Sequence, residues 1–270
     1  MKKSTFLLAT LFLTSILFVS CTKEDAMSTT DNSPIVASTS IDLVNELDIQ
    51  TGNEVSYKNL TAKTGKTLAT SCGTITMDPQ SSTFPKTFYV DFGTTGCVTN
   101  GISRKGKLKI TFSGYITETG STMTVERVDY SVNGNKIEGK IVYKNTTTSP
   151  NTPQWSRTVT NGKFTDTKGD VYLNSGIHTV KQTAGVSTLT LNDNTYEMTE
   201  GTHTVTKQNG TTITLSVVEA LVKNFSCEYV SKGKLKVESA LLNGIIDYGN
   251  GDCDNKGTYT QNGIVFPFTM

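Results

Sequence analysis

The two histidines are the residues with the clearest potential for chemistry. His178 and His203 are the only histidines of the chain, and they occupy equivalent positions in two short repeats, 176–180 and 201–205. On neighbouring strands the two imidazoles could lie close together and begin a metal site. Zinc usually takes three or four protein ligands, however, and no third ligand is marked in the sequence. The pattern therefore favours a polar cross-strand pair over a metal centre.

Two enzyme motifs occur only as fragments. Residues 63–67 read Lys-Thr-Gly-Lys-Thr and contain the end of a P-loop, but Leu60 stands where the first glycine belongs. Residues 231–234 fit the Ser-x-x-Lys of penicillin-binding enzymes, but Ser-Asp-Asn is missing and the Lys-Thr-Gly element stands in the wrong order. No Gly-x-Ser-x-Gly elbow is present. We expect a protein without catalytic residues, cofactor or metal.

Two lysine-rich segments could bind anions. The first segment, 105–109, reads Lys-Gly-Lys-Leu-Lys, follows Arg104 and supplies Lys105, Lys107 and Lys109. The same five residues recur at 232–236 and supply Lys232, Lys234 and Lys236. Alternation with period two places such lysines on one face of a strand. The sequence predicts either a solvated face that protects a strand edge or a basic stripe for an anionic glycan or lipopolysaccharide phosphate.

Four cysteines are spaced as two pairs. Cys72 and Cys97 are 25 residues apart, and Cys227 and Cys253 are 26 residues apart. An even number of cysteines in an exported chain predicts two disulfides, and the matched spacing favours these two pairs. Free buried thiols are the alternative.

The amino terminus has the layout of an export signal. Lys2 and Lys3 precede an uncharged, largely apolar run over residues 6–19, which is shorter than the roughly 18 residues that a membrane-spanning helix needs. Ser20 stands directly before Cys21, and this pair resembles the lipobox of bacterial lipoproteins, although Phe18 replaces the usual leucine. The resemblance implies that residues 1–20 are removed and that Cys21 carries the lipid anchor. A secreted protein without lipid is the alternative.

The residues after Cys21 bear on location. Lys23, Glu24 and Asp25 resemble the charged tag of surface-displayed lipoproteins in Bacteroidetes-type bacteria. The resemblance implies an outer-membrane, lipid-anchored protein at the cell surface, with the periplasmic face as the alternative. The chain holds 25 Lys and Arg against 24 Asp and Glu, so its charge gives no reason to expect a nucleic-acid partner.

The elements that position these residues are predicted from periodicity. Residues 21–40 are rich in Ser, Thr and Asp and predict a flexible tether. Residues 41–49 carry apolar residues three apart, which indicates a short helix capped by Ser40. The polar stretch 146–154 contains two prolines and suggests a boundary between regions 41–150 and 151–270, although 41–270 could be one continuous domain.

Beyond residue 72 the apolar residues alternate with polar ones, as strands with one buried face require. Alternating segments surround Val90, Ile110, Val125, Leu189 to Leu191 and Val237. Asn-Gly pairs, the strongest short hairpin signal, occur at 133–134, 161–162, 209–210, 243–244, 250–251 and 262–263. The sequence predicts an all-β antiparallel hairpin meander after a short N-terminal helix, built as an elongated sheet, a sandwich or a partly closed barrel.

Three segments carry a family resemblance. They are 91–97, which ends at a cysteine, the lysine strand 104–107, and 253–257, which begins at a cysteine. Together they resemble an uncharacterised family of Bacteroidetes-type surface lipoproteins. The resemblance implies an envelope location and an all-β fold, and it implies no activity.

These observations lead to three functional hypotheses. The first is a noncatalytic interaction or structural module that contacts the membrane through its anchor and another envelope protein or glycan through its domain. The second is a glycan- or lipid-binding protein, which a concave face lined by Tyr57, Tyr115, Tyr130, Tyr143 or Trp155 would favour. The third is a hydrolase with two converging carboxylates.

Overall fold

The computed structural model describes residues 31–61, 68–70, 72–77, 83–188 and 190–270. Residues Asp31–Met270 form one compact unit. The predictions about the leader, Cys21, residues 22–30, the fragment at 63–67 and Leu189 lie outside the described residues. Among the described residues, no helix is both long enough and apolar enough to cross a membrane.

One long helix precedes a series of antiparallel strands. The helix α1 spans Ser33–Thr61. The strands are β1 (Leu68–Thr70), β2 (Gly73–Met77), β3 (Lys86–Asp91), β4 (Cys97–Thr99), β5 (Ile102–Phe112), β6 (Thr122–Val132), β7 (Asn135–Asn145), β8 (Gln154–Thr165), β9 (Val171–Ala184), β10 (Thr195–Lys207), β11 (Thr212–Asn224), β12 (Lys232–Glu238), β13 (Gly244–Asn250), β14 (Lys256–Gln261) and β15 (Ile264–Thr269).

All of these strands belong to one sheet in which they follow chain order. Each strand pairs antiparallel with the next, except that β4 and β3 share one side of β5: β3 pairs with residues 107–112 and β4 with residues 102–104. The sheet runs from β1 to β15 and does not close. The predicted all-β antiparallel meander is confirmed, and its form is a single open sheet.

The helix is longer than the sequence predicted. It begins at Ser33, whose backbone N–H donates to Asp31 Oδ1 at 2.9 Å, so residues 33–40 are helical and do not belong to a tether. Ile35, Val44 and Val55 are buried, and so are polar residues between them such as Asp48. A helix that is buried around most of its circumference shows no single apolar stripe, and this explains why periodicity marked only nine of its residues.

The sheet curls around this helix. Asp42 accepts a hydrogen bond from the hydroxyl of Tyr248 on β13, whereas Asp48 pairs with Arg127 on β6. Residues six apart point in different directions from a helix of 3.6 residues per turn. Because strands as distant as β6 and β13 contact different sides of α1, the inner face of the sheet and the helix form one shared core.

β-Bulges accompany this curvature. The register shifts between β7 and β8 at Gly139, whose φ is +95°, and Asn161 on β8 also has positive φ. A Cβ at Gly139 would lie 2.5 Å from the carbonyl oxygen of Asn161, so the two strands approach too closely for a side chain there. Bulges bend a strand and increase its twist. The Asn161-Gly162 pair was predicted to be a hairpin turn, and this was wrong, since the pair forms a bulge within β8.

Two further expectations differ from the structure. The strand predicted around Leu191 is absent there, because β9 ends at Ala184, β10 begins at Thr195 and Leu191 lies in the connection. The polar stretch 146–154 connects β7 to β8, which pair directly, Lys144 opposite Ser156. This stretch is therefore a loop within the sheet rather than a domain boundary.

The remaining turn and disulfide predictions agree with the structure. The other five Asn-Gly pairs lie at connections between successive strands. Cys72 is bonded to Cys97 and Cys227 to Cys253, so both predicted disulfides are confirmed. The first joins the segment before β2 to β4, and the second joins the segment after β11 to the β13–β14 connection.

Candidate functional site

The interior of the sheet holds two groups of charged side chains against α1. In the first, Asp48 is fully buried and its carboxylate accepts from Arg127 Nε at 2.8 Å, from Arg104 Nη2 at 3.3 Å and from the Tyr130 hydroxyl at 2.8 Å. Arg104 also donates to Thr51 Oγ1 at 2.8 Å. Every one of these groups has a protein partner. We therefore assign this cluster a structural role, the attachment of α1 to the sheet.

The second group contains both histidines. Arg157 on β8 is buried, and its Nη1 donates to Glu46 Oε1 at 2.5 Å. Its Nη2 lies 3.3 Å from His178 Nδ1; because a guanidinium can only donate, that imidazole nitrogen is the acceptor. His178 Nε2 lies 3.4 Å from His203 Nδ1, and His203 Nε2 lies 3.0 Å from Ser38 Oγ. A hydrogen-bonded chain therefore runs from Arg157 through both imidazoles to the helix.

Both histidines are neutral in this arrangement. Burial, the charge of Arg157 and the neighbouring His203 lower the pKa of His178 far below its usual range. Burial also lowers the pKa of His203, against a smaller opposing effect of Asp42. No group of three or more His, Cys, Asp or Glu that could hold a metal ion occurs in the part of the chain that the structure describes. The ring centres of the two histidines lie 5.3 Å apart on the neighbouring strands β9 and β10, so the structure brings the two imidazoles together.

The repeats around the histidines interlock. In the register of β9 and β10, Gly176 lies opposite His203 and Gly201 lies opposite His178. A Cβ at Gly176 would lie 2.4 Å from the His203 Cβ, and one at Gly201 would lie 2.6 Å from the His178 Cα. Each repeat supplies the glycine that makes room for the histidine of the other.

The lysine-rich strands do not present one uniform charge. Lys107 pairs with Asp91 at 2.9 Å and Lys109 with Glu126 at 2.9 Å, across to neighbouring strands. Lys234 pairs with Glu219 at 3.2 Å, and Lys236 with Glu238 at 2.6 Å. Lys105 and Lys232 are exposed, whereas Arg104 points inward to Asp48. The anion-binding stripe stays a prediction. Four of the lysines are paired with acidic side chains, which favours the interpretation of these strands as having a solvated face.

A pocket of about 220 Å³ lies between the second half of α1 and one end of the sheet. It forms where β7, β9 and β11 end and where β8 and β10 begin, so strand ends and their connections make its walls. Its apolar wall includes Met123, Tyr143, Trp155, Tyr196 and Phe225. Trp155 is held in place by Nε1, which donates to the Ile116 carbonyl at 3.1 Å, and its ring contacts Tyr196 edge to face, 6.3 Å between centres.

Polar residues also line this pocket, and several of them are joined by hydrogen bonds near Phe225. Gln50 Nε2 donates to the Phe225 carbonyl at 3.0 Å, and the Phe225 N–H donates to the Asn194 carbonyl at 2.9 Å. Lys223 lies in the same place, with Nζ donating to the Asn224 carbonyl at 3.0 Å and to the Cys227 carbonyl. Gln50 Oε1 and Asn194 Oδ1 are buried without a hydrogen-bond partner among the described residues. An apolar pocket with a few convergent polar groups is the usual form of a small-molecule site.

The comparisons with known proteins add no identification. The chain matches no protein-family model, no curated protein and no solved structure. The pocket itself is therefore the feature from which a function can be inferred.

The structure brings together only some of the aromatic residues singled out in the sequence. Tyr57, Tyr143 and Trp155 line the pocket, whereas Tyr130 is bonded to Asp48 and Tyr115 stacks edge to face on Phe84. Sequence reasoning missed Glu46 and Lys223. For Lys223 a signal existed, because it lies two residues after the buried Leu221 on β11 and therefore on the same face of the strand. A lysine at an inward position is rare unless it is paired.

Proposed function

We propose that this chain is a lipid-anchored outer-membrane lipoprotein whose domain binds a small ligand without transforming it. The observation that carries the proposal is the pocket between α1 and the sheet, where Tyr57, Tyr143 and Trp155 meet. Sugars and lipids both pack well on aromatic side chains, which offer a large apolar surface and a polar tip. The pocket therefore favours the hypothesis of a glycan- or lipid-binding protein over that of a purely structural module.

The arrangement of titratable groups supports a noncatalytic role. Both histidines are buried in a hydrogen-bonded chain that ends on Ser38, and neither lines the pocket. A general base must reach a substrate proton within hydrogen-bond distance. The pocket carboxylate, Glu46, is engaged by Arg157. We infer a binding protein with no cofactor, whose partners are the membrane through Cys21 and a ligand or envelope component through the domain.

Trp155 allows a direct test of binding. It is the single tryptophan of the chain, so its fluorescence reports on this pocket alone. A panel of short glycans and membrane lipids should include at least one that changes the emission saturably. Ser56→Phe would narrow the pocket from the helix side and should abolish that response, whereas Ser175→Phe on the outer face of β9 should leave it intact. Saturable binding unaffected by Ser56→Phe would reject the pocket as the site.

The cellular location of the protein is tested by two separate experiments. Cys21→Ser should release the protein from the membrane fraction, because stable anchoring needs two acyl chains or an equivalent second signal. Proteinase added to intact cells should degrade the wild-type domain if it is displayed at the surface. Protection until the cells are lysed would instead indicate the periplasmic face.

A further inference from the structure

Lys223 is a buried lysine that lines the pocket. The residue is 6% exposed, and the partners of its ammonium among the described residues are two backbone carbonyls, those of Asn224 and Cys227. An ammonium has three N–H donors, so these carbonyls use two of them. The third has no partner among the described residues, and Lys223 lines the pocket.

The nearby carboxylates are engaged elsewhere. Glu46 pairs with Arg157 at 2.5 Å, and Glu228 accepts from Asn100 Nδ2 at 2.6 Å. No carboxylate of the described residues forms an ion pair with Lys223. Burial accordingly lowers the pKa of Lys223, and the more distant charges of Glu46 and Glu228 oppose that effect only in part. Lysine is rarely buried without a counter-ion, because a desolvated charge is costly.

The rest of the pocket suits one apolar ring or a short branched chain. Its volume of about 220 Å³ exceeds the roughly 150 Å³ of an engineered apolar cavity that holds benzene, which leaves space for a few further atoms. Trp155 and Tyr143 supply flat apolar walls. Burial raises the pKa of Tyr143 well above its ordinary value, so this wall stays uncharged. Gln50 Oε1 and Asn194 Oδ1 are covered by protein atoms, and we assign them no ligand contact.

We propose that the ligand is a small apolar carboxylate, whose anionic group pairs with the ammonium of Lys223 while its apolar body packs against Trp155 and Tyr143. This inference rests on the proposed function and adds the chemical class of the ligand. Glu46 also lines the pocket, and its ion pair with Arg157 offsets the charge of that carboxylate. The bound carboxylate would supply the counter-ion that Lys223 lacks in the described part of the protein.

A matched pair of ligands tests the charge. Phenylacetate and phenylacetamide have nearly the same shape, and they differ in carrying a carboxylate or a neutral amide. Titrated against the full-length chain with Trp155 emission as the readout, phenylacetate should bind about tenfold more tightly or better, the scale of one charge-assisted hydrogen bond. Equal affinities, or no binding of phenylacetate, would overturn the proposal.

Two variants identify the residue responsible. Lys223→Met should remove the preference for phenylacetate, whereas Lys168→Met, at an exposed lysine in the β8–β9 turn, should keep it. A Lys223→Met protein that still prefers phenylacetate tenfold would also overturn the proposal; if that variant fails to fold, the wild-type comparison decides alone. If phenylacetamide binds as tightly as phenylacetate, the proposed binding function of the pocket stands and the proposal of an anionic ligand is rejected.

Discussion

His178 Nε2 lies 3.4 Å from His203 Nδ1 in the interior of the protein, and the two residues come from adjacent copies of one short repeat. Arg157 donates to the far side of His178, and Ser38 of the helix is the partner on the far side of His203. Because Arg157 cannot accept a proton, this order of partners fixes the tautomer of both neutral rings. Protonation of either imidazole would break the chain.

We therefore expect stability to fall as the solution becomes acidic. Both histidines have a pKa below the ordinary value of about 6.5 that they regain on unfolding, so below that pH the unfolded chain binds more protons than the folded one. Between pH 7.5 and 5.5 His178 should remove about 1.4 kcal/mol from the free energy of unfolding, measured by urea titration, and His203 should add to that loss. His178→Gln with His203→Gln should flatten this dependence, and an unchanged slope in that double variant would contradict the assignment.

Asp48 should be among the most sensitive positions in the core. Asp48→Asn leaves the guanidinium groups of Arg127 and Arg104 without their buried counter-charge, and breaking a buried pair typically costs about 3–5 kcal/mol. Asp91→Asn is the matched control, because its pair with Lys107 is exposed and should contribute about 1 kcal/mol or less. Urea denaturation compares the two. Similar small losses would show that the Asp48 cluster does not hold α1 in place.

Gly176 should tolerate no side chain. An alanine Cβ there would lie 2.4 Å from the His203 Cβ and 2.6 Å from the Thr202 carbonyl oxygen, so β9 and β10 would have to separate. We expect Gly176→Ala to lower the melting temperature, at a cost of about 1–3 kcal/mol. Ser175→Ala, on the outer face one residue earlier, should change stability by about 0.5 kcal/mol at most. Equal melting temperatures for the two variants would refute the close approach.

The two disulfides should differ in their effect on ligand binding. Removing either pair by Cys→Ser substitution should lower the free energy of unfolding by about 3 kcal/mol, given loops of 25 and 26 residues. Loss of Cys227–Cys253 should also weaken phenylacetate binding, because the Cys227 carbonyl accepts from Lys223 Nζ. Loss of Cys72–Cys97 should leave phenylacetate binding unchanged, since the carbonyls that accept from Lys223 Nζ in the described part of the chain belong to Asn224 and Cys227. The same Trp155 titration measures both.

Local signals in the sequence were sufficient for the strands, most turns and the disulfides. Alternation around Val90, Ile110 and Val237 predicted strands because a side chain on a strand faces either the core or the solvent. Asn-Gly pairs predicted five connections correctly. They failed at Asn161-Gly162, because a bulge needs the same positive φ as a hairpin turn.

The sequence by itself therefore determined the antiparallel meander, and its residue period and spacing favoured the two disulfide pairs and allowed a close approach of His178 to His203. Only the tertiary structure decided that the sheet curls around a 29-residue helix. Burial around most of its circumference removes the single apolar stripe by which a helix is recognised. The pocket was equally hidden, since Tyr57, Trp155 and Lys223 are distant in the chain and meet only because that curvature brings the strand ends over α1.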